Sequence, residues 1–476
     1  MKRLHTLIIL VVTTLTIINT ACIEDDFTSS SGDTLTFSTD TLAFDTIFTA
    51  VGTATHKFTV YNRHSKMINI SSIKINGESK AKFYLNVDGV KGNEFNNVEI
   101  RSKDSIFVFV EAYIDPTDKN NPIELKDKIE FITNGVTQDI VLTAWGQDVK
   151  REHATVISKN TTFTAEKPYV IFDTLHVEKD ATLTLEPGAN LYFHDKGAMK
   201  IDGKLIANGT QEKPINLRGD RLDKVVGGIS YDIMSGQWGG ITFTSDSYEN
   251  EMQYVLMRGS TTGVTIDSCN IDRRKLHIYN SVLHNSSNSV LLSKHAWIDA
   301  EGTEFSDAKN SVVNLTGGKI TFVHCTIANY YLFSAISGAL LSVDYIMPKD
   351  QKEIPLMVAS FNNCVIYGNA GDISNGNLEG SNVFLRSCLL KSSGTDDSNF
   401  INCTWKSDPM FYTVREDYIF DYRLRNKSEA IAKGDVSLCP QSLKYDRYGI
   451  DRFSREGIDI GAYTWVPAKD EETDKK

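Results

Sequence analysis

Cysteine and proline are scarce in this 476-residue chain, and positive charge is in deficit. After the first 21 residues no apolar run is long enough to cross a bilayer. Each shortage excludes something. Only 10 prolines stand against 19 tyrosines and 23 phenylalanines, with abundant Thr, Val and Ile, a balance that describes a largely β protein. The 7 cysteines contain no Cys-x-x-Cys and no Cys/His spacing suited to zinc. A net charge of −11 argues against nucleic acid as a partner and disfavours strongly anionic polymers unless a local basic patch exists. There is no Ser/His/Asp set, Walker loop or dinucleotide fingerprint. The length implies more than one domain.

What is present begins with an address. Lys2 and Arg3 precede an apolar, Thr-containing stretch at residues 4–18, and Asn19-Thr20-Ala21 leads to Cys22. This resembles a bacterial lipoprotein signal, in which the cysteine thiol takes the lipid and becomes the mature N-terminus; Asn19 replaces the usual aliphatic residue. Losing Lys2 and Arg3 moves the formal charge from −11 to −13. Glu24, Asp25 and Asp26 follow Cys22 and cannot favour an anionic leaflet. The acidic run resembles the surface-export signal of Bacteroidota-type lipoproteins, and it also reads as a solvated tether over 22–32. The resemblance implies a lipid anchor in the outer membrane, facing the cell exterior.

Residues 33–150 read as a β-sandwich. The segments "HKFTVYN", "INISSIKIN", "KFYLNVDG", "DSIFVFVEAYI", "KIEFITNG" and "QDIVLTAWGQD" alternate in polarity and are separated by Asn, Gly, Asp and Pro. Their number and spacing suit an immunoglobulin-like fold. "TVYN", "FVFVEAYI" and "VLTAWGQ" resemble bacterial modules related to the cilium-associated Ig-like domains, usually spacers or packing partners.

From about residue 151 the grammar changes. Short strands alternate with Pro-Gly and Asp-Gly turns, and the phrases "LHIYNSVLHN", "WIDAEGTEFSD", "ITFVHCTIAN", "VASFNNCVIYGN" and "VFLRSCLLKS" repeat one pattern. Aligning its small polar position gives Ser281, Thr303, Cys325, Cys364 and Cys388, at steps of 22, 22, 39 and 24 residues. Two residues on stand Leu283, Phe305, Ile327, Ile366 and Leu390. Such a period predicts a right-handed parallel β-helix of the pectate-lyase type over 151–407, each coil burying its inner face against its neighbours. The long step predicts a loop over 332–357 that leaves the stack. The column makes Cys325, Cys364 and Cys388 buried thiols rather than disulfides. Cys269, Cys403 and Cys439 fall outside it, with no pairing assignable.

Two further resemblances mark the ends of this region. "LEPGANLYF", "IDGKLIANGTQEKPINLRGDR" and the Gly-Gln-Trp-Gly-Gly core at 236–240 resemble a recurrent opening of β-helix lipoproteins. The C-terminal stretch 408–466 resembles the choice-of-anchor Q domain, through Asp408-Pro409-Met410-Phe411, Asp421-Tyr422-Arg423-Leu424, Gly434-Asp435, Asp446, Gly449, Arg452 and Asp459-Ile460-Gly461-Ala462-Tyr463. Glu429, Ala432 and Thr464 depart from its pattern. This segment is expected to cap the last coil, with 467–476 as a charged disordered tail.

Chemistry is harder to read. The motif sets of polygalacturonases and pectate lyases are missing, and the fold alone decides nothing. Asp267, Asp272, Arg273, Arg274, Lys275 and His277 form one basic cluster that could grip an acid group bidentately, or be a solvated turn with Asp–Arg pairs. Trp238 and Trp297 are candidate sugar platforms, with packing as the plainer reading, and Tyr330, Tyr331 and Trp405 are weaker ones. His284, His295 and His324 could share a face, although lone histidines in a repeat are usually surface or packed residues. No cofactor is expected; calcium is conceivable among the C-terminal aspartates, but their spacing fits no compact calcium loop. Asp-(Thr/Ser)-apolar at Thr34, Thr41, Thr46, Ser105 and Thr174 resembles the O-glycosylation motif of Bacteroidota, or simply opens strands. These observations lead to a lipid-anchored, all-β surface protein that binds a polysaccharide or host glycan. A polysaccharide lyase or glycoside hydrolase, and a structural subunit of a surface assembly, remain the alternatives.

Overall fold

The structure is a computed structural model that describes residues 26–468, apart from 53–54, 78–80, 121, 225–227, 345–356 and 375–376. Cys22, Glu24 and Asp25 lie outside the described residues. The chain is all-β and divides into two compact units between Gln147 and Asp148.

The first unit holds two five-stranded sheets around one apolar core. Its sequence forms strands because apolar residues recur at every second position. Ser105–Ile114 buries Ile106, Val108, Val110, Ala112 and Ile114 and turns Phe107, Phe109, Glu111 and Tyr113 outward. Pairing is antiparallel except where Thr41–Phe48 runs parallel to Val136–Gln147. Thr41–Phe48 and Glu94–Ile100 are strands that the polarity pattern did not single out. The expected free tether is also shorter than 22–32. The Asp26 carbonyl accepts from Met67 N–H, Thr28 N–H donates to the Met67 carbonyl, and Lys66 pairs with Asp26 at 2.5 Å. Backbone hydrogen bonding therefore docks the chain from Asp26 onward.

The second unit contains long parallel sheets, of 16 and 10 strands, consistent with a parallel β-helix. Each turn of chain lays one strand on each of three ladders. In the turn that starts at Glu304 these are Glu304–Ala308, Val313–Thr316 and Gly318–Val323, and the chain returns at Thr326–Asn329 directly on the first. The 16-stranded sheet bends within Asn190–Ile201, whose two halves belong to the first and second ladders. Coil stacking starts at Lys150–His153, which pairs in parallel with Tyr169–Phe172.

The aligned column lies just ahead of the first ladder. Val282, Glu304, Thr326, Val365 and Leu389 pair in succession, so Ser281, Thr303, Cys325, Cys364 and Cys388 stack one coil above another, all buried. Leu283, Phe305, Ile327, Ile366 and Leu390 pair likewise inside the coil. The reason for small polar residues here is the corner. Each column residue follows one in the left-handed region: Asn280, Gly302, His324, Asn363 and Ser387. The tight turn leaves the carbonyl two positions back facing the column, and the hydroxyl or thiol donates to it: Ser281 to Tyr279 at 2.9 Å, Thr303 to Glu301 at 3.0 Å, Cys364 to Asn362 at 3.3 Å. Glycine at 302 leaves room for the Asn280 side chain of the coil before, since a Cβ there would sit 2.2 Å from Asn280 Oδ1.

Three expectations are corrected. Cys403 belongs to the column: Thr404 bridges to Leu389, Asn402 is left-handed, and Cys403 Sγ donates to Ile401 and Leu385 carbonyls. The last turn, only 15 residues from Cys388 to Cys403, broke the period that the alignment followed. All six cysteines from Cys269 onward are free thiols. Second, the stretch 332–357 does not leave the stack as one loop, because Leu341–Asp344 stays on the second ladder against Val313–Thr316; residues 345–356 lie outside the described residues. Third, the segment 408–466 does not simply close the last coil. It returns along the flank as a strap, bonded to Gln211, Tyr279, Asn280, Glu304, Asp307, Thr326 and Asn363. Its Phe411, Tyr422, Leu424, Ile460 and Tyr463 bury the outward side chains Ala328, Val365 and Leu389. Asp446, Arg452 and Asp459 serve its turns: Asp446 accepts from three backbone N–H groups, and Arg452 donates to the Gly461 and Ala462 carbonyls.

Candidate functional site

The basic cluster does not converge. Lys275 is fully buried, donates to the Thr244 carbonyl and lies over the Tyr248 ring, and burial pulls its pKa down. Asp267 is half-buried, while Asp272 and Arg273 are exposed on the turn, Arg273 resting on the same Tyr248 ring. Arg274 and His277 point out from the third ladder, where Glu251 takes both, at 2.8 and 2.9 Å. Asp299 and Glu301 share that face, two residues apart on Trp297–Glu301. Burial works against the Glu251 charge, but the His277 hydrogen bond and the His277 and Arg274 charges hold its pKa down; burial raises that of Glu301. The patch is an ion-pair network that neutralises itself.

The tryptophans separate from it. Trp238 is no platform: it is buried, stacks on Phe193 at 4.0 Å and donates its indole N–H to the Arg258 carbonyl. Gly240, at φ 99°, lets the chain pass there, since a Cβ would lie 1.7 Å from Thr262 O. Trp297 is half-buried, bonded to Asp299, with Lys319 Nζ over its ring. Tyr331 is buried against Ser235, and Tyr330 is stacked on Tyr422. Trp405 packs against Phe400. His324 is buried against Asn363, and burial depresses its pKa. Of the candidate modification sites, Thr41 and Thr174 are exposed and Thr34, Thr46 and Ser105 half-buried. Among the described residues, no three His, Cys, Asp or Glu side chains are grouped to hold a metal.

The site that the structure does bring together lies between the strap and the outer face of the first ladder. It is a cleft of about 510 Å³. Parallel register builds its floor: Arg258 and His284 succeed one another on adjacent coils, with Val282 and Glu304 alongside. The strap supplies Tyr418, Phe420, Asp421, Tyr422, Arg447, Tyr448 and Tyr463. Tyr418 and Tyr448 are about half exposed, and the Phe420 ring lies 5.1 Å from that of His284.

A buried polar chain holds the two walls together. Ser306 Oγ donates to Glu304 Oε1 at 2.5 Å, and Tyr463 hydroxyl bonds Glu304 Oε2. Tyr422 hydroxyl donates to Asp307 Oδ2 at 2.5 Å. His284 Nδ1 sits 2.9 Å from Ser306 Oγ and 3.2 Å from Asp307 Oδ2. Burial pushes the Glu304 carboxyl up from its ordinary value, so this side chain tends to its neutral form. At the cleft edge Asp232 is held by Arg218 and Arg258, each at 2.9 Å. The site therefore combines aromatic walls, fixed charges and a buried carboxyl in one cleft. Sequence reasoning had His284 only as an isolated histidine. The period-2 rule does place Arg258 and His284 on one outer row, a signal available once the register is known.

No family model matches this chain, and no curated protein matches it. Among solved structures, a family 123 glycoside hydrolase from Clostridium perfringens, described in terms of glycolipid glycan hydrolysis, shares 8% identity at a TM-score of 0.18. The match covers 24% of this chain and 25% of that one, and so slight a likeness carries no argument.

Proposed function

We propose that this protein is a surface lipoprotein, lipidated at Cys22 and anchored in the outer membrane, that binds a glycan without cleaving it. In this reading residues 26–147 form an immunoglobulin-like spacer, and the second unit is a right-handed parallel β-helix that presents the binding cleft. The observation that carries the binding role is the cleft itself, where Tyr418, Phe420 and Tyr448 flank Arg258, His284 and Arg447. Flat rings beside fixed hydrogen-bonding groups match the two faces of a sugar, one apolar and one hydroxylated.

A glycan array and a polysaccharide-degradation screen on soluble protein beginning at Asp26 test the proposal together. Expected are retention of at least one glycan class, weakening of about tenfold or more in Phe420→Ala or Tyr448→Ala, and no released product. Absence of any retained glycan overturns it. Product release instead selects a second reading, a lyase or hydrolase, which Glu304 in the cleft, its pKa raised by burial, favours as a general acid. For the location, Glu24→Ala with Asp25→Ala is expected to keep lipidation and lower accessibility to external protease. Unchanged accessibility would make the acidic run a tether alone.

A further inference from the structure

We infer that the sugar unit seated in the cleft carries an acid group, a uronate carboxylate or a sulfate, and that Arg447 is its anion contact. The inference rests on the glycan-binding reading and narrows its ligand class. Its basis is the distribution of charge. Four guanidiniums meet at the cleft: Arg258 and Arg447 line it, Arg218 joins Arg258 on Asp232, and Arg423 pairs with Asp421 at 2.6 Å. Against them stand Asp232, Asp421 and, both buried, Asp307 and Glu304. The two signs balance in number but not in pairing.

The unpaired positive charge has an address. Arg218, Arg258 and Arg423 each have a carboxylate within 2.9 Å. Arg447 has none within 4 Å among the described residues; its recorded hydrogen bond is a 3.4 Å contact from Nη1 to the Asn280 carbonyl. Half-buried between Asp446 and Tyr448, it presents a planar fork with most of its donors unassigned. Such a group gains more from a bidentate anion than from water, because its surroundings already exclude part of its hydration. Tyr448, next in sequence, offers its ring at the same edge, and the His284 imidazole lies on the floor within the same cleft. The volume, about 510 Å³, suits one or two sugar rings. The two lining aspartates do not oppose an anion, since each is already held by arginine.

The test is calorimetric titration of the soluble protein at fixed pH and low salt. The probes are trigalacturonate, a 4-sulfated chondroitin disaccharide, and the neutral trisaccharides maltotriose and xylotriose. At least one acidic probe is expected to bind ten times or more tighter than either neutral one, and which one distinguishes carboxylate from sulfate. Arg447→Gln should remove that advantage by tenfold or more, weaken neutral-sugar binding by a much smaller factor and melt within a degree or two of the wild type. Arg447→Lys, which keeps the charge without the fork, should fall between. Neutral probes bound as tightly as acidic ones, or an acidic preference that survives Arg447→Gln, would overturn the acid-group inference and leave the glycan-binding reading standing. Binding of no probe, joined to an empty glycan array, would overturn both. If Arg447→Gln lowers the melting temperature substantially, the comparison passes to Arg447→Lys, where undiminished acidic binding counts against the bidentate contact.

Discussion

Substituting Cys364 tests the stacked column at its centre. The thiol is fully buried, lies between Cys325 and Cys388, and donates to the Asn362 carbonyl at 3.3 Å and the Phe322 carbonyl at 3.7 Å. Serine keeps the shape and the donor, and Ser281 already makes the same contact to Tyr279 at 2.9 Å. The expected cost of Cys364→Ser is therefore about 1 kcal/mol or less. Cys364→Leu adds carbon where the coils above and below leave no room, and overpacking should cost roughly 1–3 kcal/mol. Urea denaturation of both variants measures the difference. Alkylation supplies an independent readout, because burial and the neighbouring thiols push the Cys364 pKa well above its ordinary value and keep the reactive thiolate out of reach. Native protein should resist iodoacetamide at all three positions and label only on unfolding. Equal tolerance of Ser and Leu, with rapid labelling of native protein, would refute the stacking argument.

The other predictions follow from the same contacts. Trp238→Ala should cost roughly 3–5 kcal/mol by thermal or urea melts, since it removes a buried ring stacked on Phe193; a loss under 1 kcal/mol would place that ring at the surface. Glu304 has a raised pKa in the folded state, so its contribution to stability is full below the ordinary value of 4.5 and is lost as pH rises through the folded value. Glu304→Gln should therefore flatten the stability–pH curve above pH 4.5, and an unchanged slope would show that the carboxyl is not held neutral. Arg274→Ala should cost no more than about 1 kcal/mol, its pairs with Glu251 and Asp299 being partly solvated, and should leave glycan retention intact. Cys22→Ala should abolish incorporation of labelled fatty acid; a labelled variant would end the lipobox argument.

How much was legible depended on whether a feature repeats. The column from Ser281 to Cys388 was readable because each coil solves the same corner problem with the same small donor. Six of the ten strands of the first unit were readable because their alternation is regular. Cys403 was missed because its turn is short, and Leu341–Asp344 because the insertion is split on either side of it. The strap lies beyond any local rule. In Glu304–Ala308 every residue is buried, where alternation expects Glu304 and Ser306 in solvent; the cover comes from residues more than 100 positions away, Tyr422 and Tyr463. The candidate cluster at 267–277 looked functional because it is basic in an acidic chain. Its partners Glu251 and Asp299 sit on adjacent coils, and only the register shows that they neutralise it.

The central claim is that the cleft between strap and first ladder is the sugar seat. Hydrogen–deuterium exchange, run with and without the strongest glycan from the array, tests it most directly. The account predicts slowed exchange at residues 418–422 and 445–448, with 272–277 and 297–301 unchanged. Protection confined to 272–301, or none in the strap, would contradict it.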